Sequence, residues 1–187
     1  AVGATRPGAS RLRLDPQTYG IQNLRFLLDH RHIPDELAAR YARAVEGICT
    51  AIAPLFDSIP YQRVHGDCHL GNLLWNPQGP FFLDFDDMVR GPVMQDLWLV
   101  VPGRDEESRY KLQILVDAYQ EMSDLPPGSL RLVEPLRALR FVNYSAWIAR
   151  RWEDPAFPRT FPHFKSHRYW SEQTSDLEDI WHLILSP

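Results

Sequence analysis

RVHGDCHLGNLLWNPQGPFFLDFDD, running from Arg63 to Asp87, decides the fold of this 187-residue chain. His65, Asp67, His69 and Asn72 fall within one eight-residue loop, and Asp84, Asp86 and Asp87 follow after a turn. Short apolar runs flank the loop and read as strands, Tyr61 to Val64 before it and Leu73 to Trp75 after it. A third run, Pro80 to Leu83, leads into the acidic triplet, and Asn76-Pro77-Gln78-Gly79 is the turn between the second and third. The order strand, polar loop, strand, turn, strand, carboxylate is expected to bring Asp67, Asn72 and Asp84 together at one end of a small sheet.

The spacing H-x-D-x-x-x-x-N has a chemical meaning. In phosphoryl transfer an Asp accepts or orients the proton of an attacking hydroxyl, and an Asn five residues on holds a divalent metal. A second Asp from the following hairpin bridges metal and nucleotide phosphates. Magnesium suits such a site because it takes one or two protein oxygens and leaves its other positions to phosphate and water. Asp84 precedes Phe85 as the Asp of D-F-G does in kinases, and His65 stands where the His of H-R-D stands. His69 occupies the place of the Lys two residues past the catalytic Asp.

HGDCHLGNLLW followed by FFLDFDDMVRGPVMQDLW closely resembles the choline kinase and aminoglycoside phosphotransferase family of kinases. The resemblance extends through EPLRALRFVNYSAWIARRWEDPAFPRTFP and covers most of the chain from about Arg11 onward. Within the family the likeness is greatest to bacterial cytoplasmic Ser/Thr protein kinases that use ATP and magnesium. It implies that Asp67 is the catalytic base, that Asn72 and Asp84 are the magnesium ligands, and that Asp96 in QDLW anchors the backbone of the catalytic loop. The fold it implies is α+β and mostly helical, a protein kinase-like C-terminal lobe with a small β-hairpin sheet at the catalytic loop. The phosphate-covering loop, strand lysine and helix glutamate of an N-terminal lobe do not occur; no lysine precedes Asp67. The expectation is therefore an irregular lead-in over 1–16, then a catalytic C-terminal lobe over 17–187. The missing N-terminal lobe counts among its partners, and the chain alone is expected to be inactive and to bind ATP weakly.

The rest of the chain reads as helices. Ile21, Leu24, Leu27 and Leu28 predict a short helix ending near His30. Pro34-Asp35-Glu36 starts a longer one, with Leu37, Tyr41, Val45, Ile48, Ile52 and Leu55 recurring at three and four residues. Cys49 beside that stripe reads as a core thiol. Val93 to Val100 reads as a buried helix. Arg104 to Ser123 reads as an amphipathic one with Ile114, Leu115, Ala118, Tyr119 and Met122 on one face. Leu130 to Trp152 is apolar almost all round and predicts a central buried helix, in which Pro135 either kinks the helix or marks its first turn. Pro155 to Pro162 reads as a loop, and Tyr169 to Leu185 as the closing helix.

Plainer roles stand beside these. Asp67 and Asn72 also cap turns routinely. His69 either contacts phosphate or structures the loop, and His65 reads as a hydrogen-bonded structural histidine. One of Asp86 and Asp87 helps hold metal, or both form a solvated turn. Asp96 between apolar residues would be costly to bury without donors. Asp84 to Asp124 carries ten acids against four bases, and Arg131 to Arg168 eight bases against three acids. The basic stretch either steers an acidic substrate or is a solvated helix face.

Net charge of −4 argues against nucleic acid as a partner, and no apolar run approaches a membrane span. Two cysteines form no disulfide framework and fit the cytoplasm. Three alternatives stay open: a small-molecule kinase, a non-enzymatic fragment or docking domain, and a metal-dependent enzyme built on His65-x-Asp67-x-His69, whose two histidines and carboxylate suit iron or zinc.

Overall fold

A computed structural model describes residues 12–186. In chain order the elements are α1 (Gln22–Asp29), α2 (Asp35–Ser58), β1 (Gln62–Val64), β2 (Leu73–Asn76), β3 (Gly79–Phe82), β4 (Val89–Gly91), α3 (Met94–Val100), α4 (Glu106–Gln120), α5 (Val133–Arg150), α6 (Ala156–Thr160) and α7 (His167–Leu185). They fall into two compact units, residues 12–14 with Ser58–Val133, and Asp15–Asp57 with residues 134–186.

The second unit is helical. A π-helical turn, Pro16–Ile21, runs into α1, started by Asp15, whose carboxylate accepts from the Thr18 amide. In α2 the acids Asp35 and Glu36 sit in the first turn, where the helix dipole favours them. Leu37, Tyr41, Ala44, Val45, Ile48, Cys49, Ile52 and Phe56 form its buried stripe. Each large apolar side chain there contributes about 1.5–3 kcal/mol by leaving water. Helix α7 lies close against α2. A Cβ on Gly47 would stand 2.1 Å from the Trp181 ring, and the Tyr41 and Trp170 rings meet edge to face at 5.5 Å. Asn23 on α1 is buried and satisfied. It donates to the Tyr19 carbonyl at 2.9 Å and to Asn143 Oδ1 on α5 at 2.9 Å, and it accepts from Arg150 at 2.7 Å.

Two expectations in this unit need correction. Leu130 to Trp152 is not one helix: a 3₁₀ turn over Ser129–Leu132 precedes α5, which starts at Val133. Pro135 lies in the first turn of α5, where its missing N–H has no intrahelical partner to lose. Pro155 to Pro162 is not all loop, because α6 occupies Ala156–Thr160. Pro158 falls in its first turn, and Phe157 packs against Trp147 at 5.1 Å, which repays ordering the segment.

The first unit carries the strands. β1 pairs with β4 antiparallel, with Val64 opposite Val89, and β2 pairs with β3, with Leu73 opposite Phe82 and Asn76 opposite Gly79. The single small sheet expected from sequence is therefore two separate two-stranded sheets. The strand before the loop finds its partner beyond the acidic triplet, not in the hairpin. Within the expected irregular lead-in, the Leu14 amide donates to the Arg90 carbonyl at 2.8 Å, and Arg90 donates to the Leu12 carbonyl at 3.0 Å. Residues 1–11 lie outside the described residues. Helix α4 is shorter than expected and turned differently. Asp105 caps it by accepting from the Ser108 amide at 2.9 Å, Val116 is its one fully buried residue, and Ile114 and Met122 are exposed. The half-buried Leu112, Leu115 and Tyr119 flank Val116 on the face that packs.

Candidate active site

Two consecutive residues at the start of α3 grip the loop that follows β1. The Asp96 carboxylate accepts from the His65 amide at 2.7 Å and from the Gly66 amide at 2.9 Å. Burial pushes the Asp96 carboxyl above its ordinary range, and these two amide donors pull it back toward the charged form. Gln95 donates through Nε2 to the Gly66 carbonyl at 2.8 Å, and its Oε1 accepts from the Trp98 indole at 3.2 Å. Gly66 has φ +88°, and a Cβ there would lie 2.3 Å from the Asp87 carbonyl oxygen. Only glycine fits this position.

The loop is stitched to the segment bearing Asp84. His65 is buried, and its Nε2 sits 2.7 Å from the Leu83 carbonyl while Nδ1 accepts from the Asp67 amide at 3.4 Å. A carbonyl only accepts and an amide only donates, so the ring is the neutral Nε2–H tautomer. The Leu83 amide donates to the Asn72 carbonyl at 2.9 Å. The structure thus brings the Asn72 end of the loop beside the start of the acidic triplet.

Within the loop, Asn72 Nδ2 donates to the Asp67 carbonyl at 3.0 Å and lies 3.5 Å from Asp67 Oδ2. His69 Nε2 is 3.4 Å from the same carboxylate oxygen, and His69 Nδ1 accepts from the Gly71 amide at 3.0 Å. His69 therefore structures the loop and touches Asp67 at once. With Nδ2 committed, Asn72 Oδ1 accepts no hydrogen bond among the described residues. Asp84 is exposed in the left-handed region, φ 57° and ψ 69°, and its carboxylate likewise has no hydrogen bond or ion pair among the described residues. Two uncommitted oxygen donors at the joined ends of loop and hairpin are a donor set that suits magnesium.

The iron or zinc alternative fails on geometry. Both nitrogens of His65 are engaged with backbone, and no group of three His, Cys, Asp or Glu side chains among the described residues is placed to hold a metal. Asp86 and Asp87 lie exposed in a short 3₁₀ turn, Phe85–Asp87. Cys68 is buried, its thiol pushed up to about 11 by desolvation and by the Asp96 and Asp67 charges, which disfavours the thiolate. Gln95 was not among the residues the motif pointed to. Its signal in sequence is only its place beside Asp96, a polar residue opening a buried helix.

The hairpin itself is apolar and bare. Trp75 is 80% exposed and Leu70 64%, with Leu74, Phe81, Phe82, Leu83 and Phe85 all exposed beside them. Side chains alternate across a strand, so Leu74 and Phe81 mark one face of the hairpin and Trp75 and Phe82 the other. No helix among the described residues is long and apolar enough to cross a membrane.

A family model described as a phosphotransferase enzyme family matches residues 4–133. Stress response kinase A of Escherichia coli K12 is 40% identical over 158 residues, covering 84% of this chain and 48% of that protein. The serine/threonine protein kinase RdoA of Salmonella typhimurium LT2 is 38% identical over 187 residues, covering all of this chain and 57% of that protein. The chain thus spans about half the length of these curated relatives. A solved spectinomycin phosphotransferase, in complex with ADP and spectinomycin, superposes with a TM-score of 0.56 at 15% identity, over 89% of this chain and 56% of that one. That likeness shows a shared protein kinase-like fold.

Proposed function

Since the chain belongs to the phosphotransferase enzyme family, we propose that it is the catalytic C-terminal lobe of an ATP-dependent kinase acting on serine or threonine hydroxyls of proteins. One observation carries the reading: Asp67 is held beside Asn72 and His69 in a loop that His65 and Leu83 tie to Asp84. Asp67 orients the acceptor hydroxyl and takes its proton. The hydroxyl oxygen then bonds to the γ-phosphorus of ATP as the bond to the ADP oxygen breaks. Asn72 Oδ1 and the Asp84 carboxylate would hold magnesium, which when bound would supply positive charge against the phosphates. His69 steadies the Asp67 carboxylate and faces the same space. The bare apolar faces of the β2–β3 hairpin are where the nucleotide base and the rest of a protein of the relatives' length would lie. The solved neighbour's ligand favours a second acceptor class, a small polyhydroxylated amine.

The test uses the full-length protein. Asp67→Asn is expected to lower turnover by roughly two to four orders of magnitude with magnesium-ATP affinity little changed. Asp84→Asn should abolish transfer and weaken the magnesium dependence of ATP binding. Offering a Ser/Thr protein and an aminocyclitol in parallel separates the two acceptor classes. Near-parental turnover in Asp67→Asn would overturn the assignment.

A further inference from the structure

We infer that Gln95 is a positioning residue for this chemistry, holding the Gly66–Asp67 peptide so that the Asp67 carboxylate keeps one direction. The inference rests on the kinase reading of the loop. Gln95 is 3% exposed in the first turn of α3, with Met94, Leu97, Trp98 and Leu99 buried along the same helix. An amide buried there costs free energy unless both of its polar atoms are satisfied. Both are: Nε2 donates to the Gly66 carbonyl at 2.8 Å, and Oε1 accepts from the Trp98 indole N–H at 3.2 Å. A carbonyl oxygen cannot donate and an indole N–H cannot accept, so only one orientation of the amide serves both partners. The Trp98 indole therefore determines which end of Gln95 faces the loop.

Gly66 is a glycine at φ +88° immediately before Asp67. Its N–H is held by Asp96 at 2.9 Å and its C=O by Gln95 at 2.8 Å. Neighbouring residues of one helix thus hold both backbone polar groups of the residue whose ψ aims Asp67. Asp96 anchors the loop, whereas Gln95 acts on the peptide plane that carries Asp67 itself. Losing that hold frees rotation about the Gly66 Cα–C bond. A misplacement of about 1 Å at a reacting group costs on the order of a hundredfold in rate.

The experiment compares variants of the full-length kinase by turnover, magnesium-ATP affinity and melting temperature. Gln95→Leu keeps bulk and loses both hydrogen bonds, and it is expected to lower kcat by roughly ten- to a hundredfold with magnesium-ATP affinity within about twofold of the parent. Trp98→Phe removes the indole donor together with part of a buried ring, leaves the Gln95–Gly66 hydrogen bond in place, and should lower kcat less. Gln95→Glu supplies the readout that a purely structural role would not move. Its ionised form faces the Gly66 carbonyl with an acceptor, whereas its protonated form offers an O–H donor in place of the amide. Its turnover relative to the parent should therefore rise as pH falls from 8.5 to 6. A ratio that stays flat at the parental value overturns the inference, and decides the matter even if Gln95→Leu does not fold. So does parental kcat in Gln95→Leu while Asp67→Asn is inactive. If Asp67→Asn is itself near parental, the kinase reading fails instead.

Discussion

Gly66 shows how much of this site hangs on single atoms. Its φ of +88° excludes most side chains on conformational grounds, and the Asp87 carbonyl 2.3 Å from a built Cβ excludes them on space. The contact is backbone against backbone, so nothing flexible can swing away. Gly66→Ala is expected to destabilise the domain by about 1–3 kcal/mol, measured by urea melting, and to part the loop from the Phe85–Asp87 turn. A melt equal to the parent's would show that the turn yields at no cost. Asp84, the non-glycine residue of this unit with a positive φ, is a different case, since its short polar side chain tolerates the region and its carboxylate stays uncommitted.

Among the elements, α2 and α7 show what complementary surfaces add to periodicity. Arg40 on α2 meets Glu178 on α7 with both ends of its guanidinium, Nε to Oε1 at 2.7 Å and Nη2 to Oε2. The hydrogen bond to Arg40, with its charge, holds the Glu178 carboxyl below its ordinary value. The folded state therefore binds its proton less readily than the unfolded chain. The stabilisation is complete above the ordinary glutamate value near 4.5 and fades as pH falls through the depressed folded value. Both side chains are partly exposed, so solvent screening keeps the pair's contribution small. The stability difference between parent and Glu178→Gln, from urea melts, should be present at pH 7 and shrink progressively as pH falls below 4.5. A difference independent of pH would assign the effect to packing.

For the whole molecule the outstanding feature is apolar surface on both faces of the β2–β3 hairpin. Seven large apolar side chains from Leu70 to Phe85 are exposed, Trp75 to 80%. A two-stranded hairpin is marginal in water, and an apolar area of this kind marks an interaction surface. The 187-residue chain should enhance the fluorescence of an apolar dye such as ANS while folded, and Trp75→Ser combined with Phe82→Ser should remove much of that signal. No enhancement from the folded chain would mean the hairpin closes on itself.

Read from the residues alone, the chain already disclosed the loop from His65 to Asn72, the hairpin turn at Asn76–Gly79, the long α2 stripe and the buried placement of Cys49, because each depends on spacing within one segment. Pairing was not legible. That β1 joins β4 across the acidic triplet, leaving β2 and β3 as a separate sheet, follows from contacts between residues more than twenty positions apart. The packed face of α4 centres on Val116, outside the expected stripe, because periodicity reports that a stripe exists but not which flank meets a neighbour. The short helix α6 was hidden by its prolines until Phe157 found Trp147. In the candidate site, Asp67, Asn72 and Asp84 announce themselves by type and spacing. Gln95 does not, because its part arises only when α3 brings an amide against the Gly66 carbonyl. Local order is written in neighbouring side chains; which backbone groups meet is decided by the tertiary structure, where buried polar atoms must find partners.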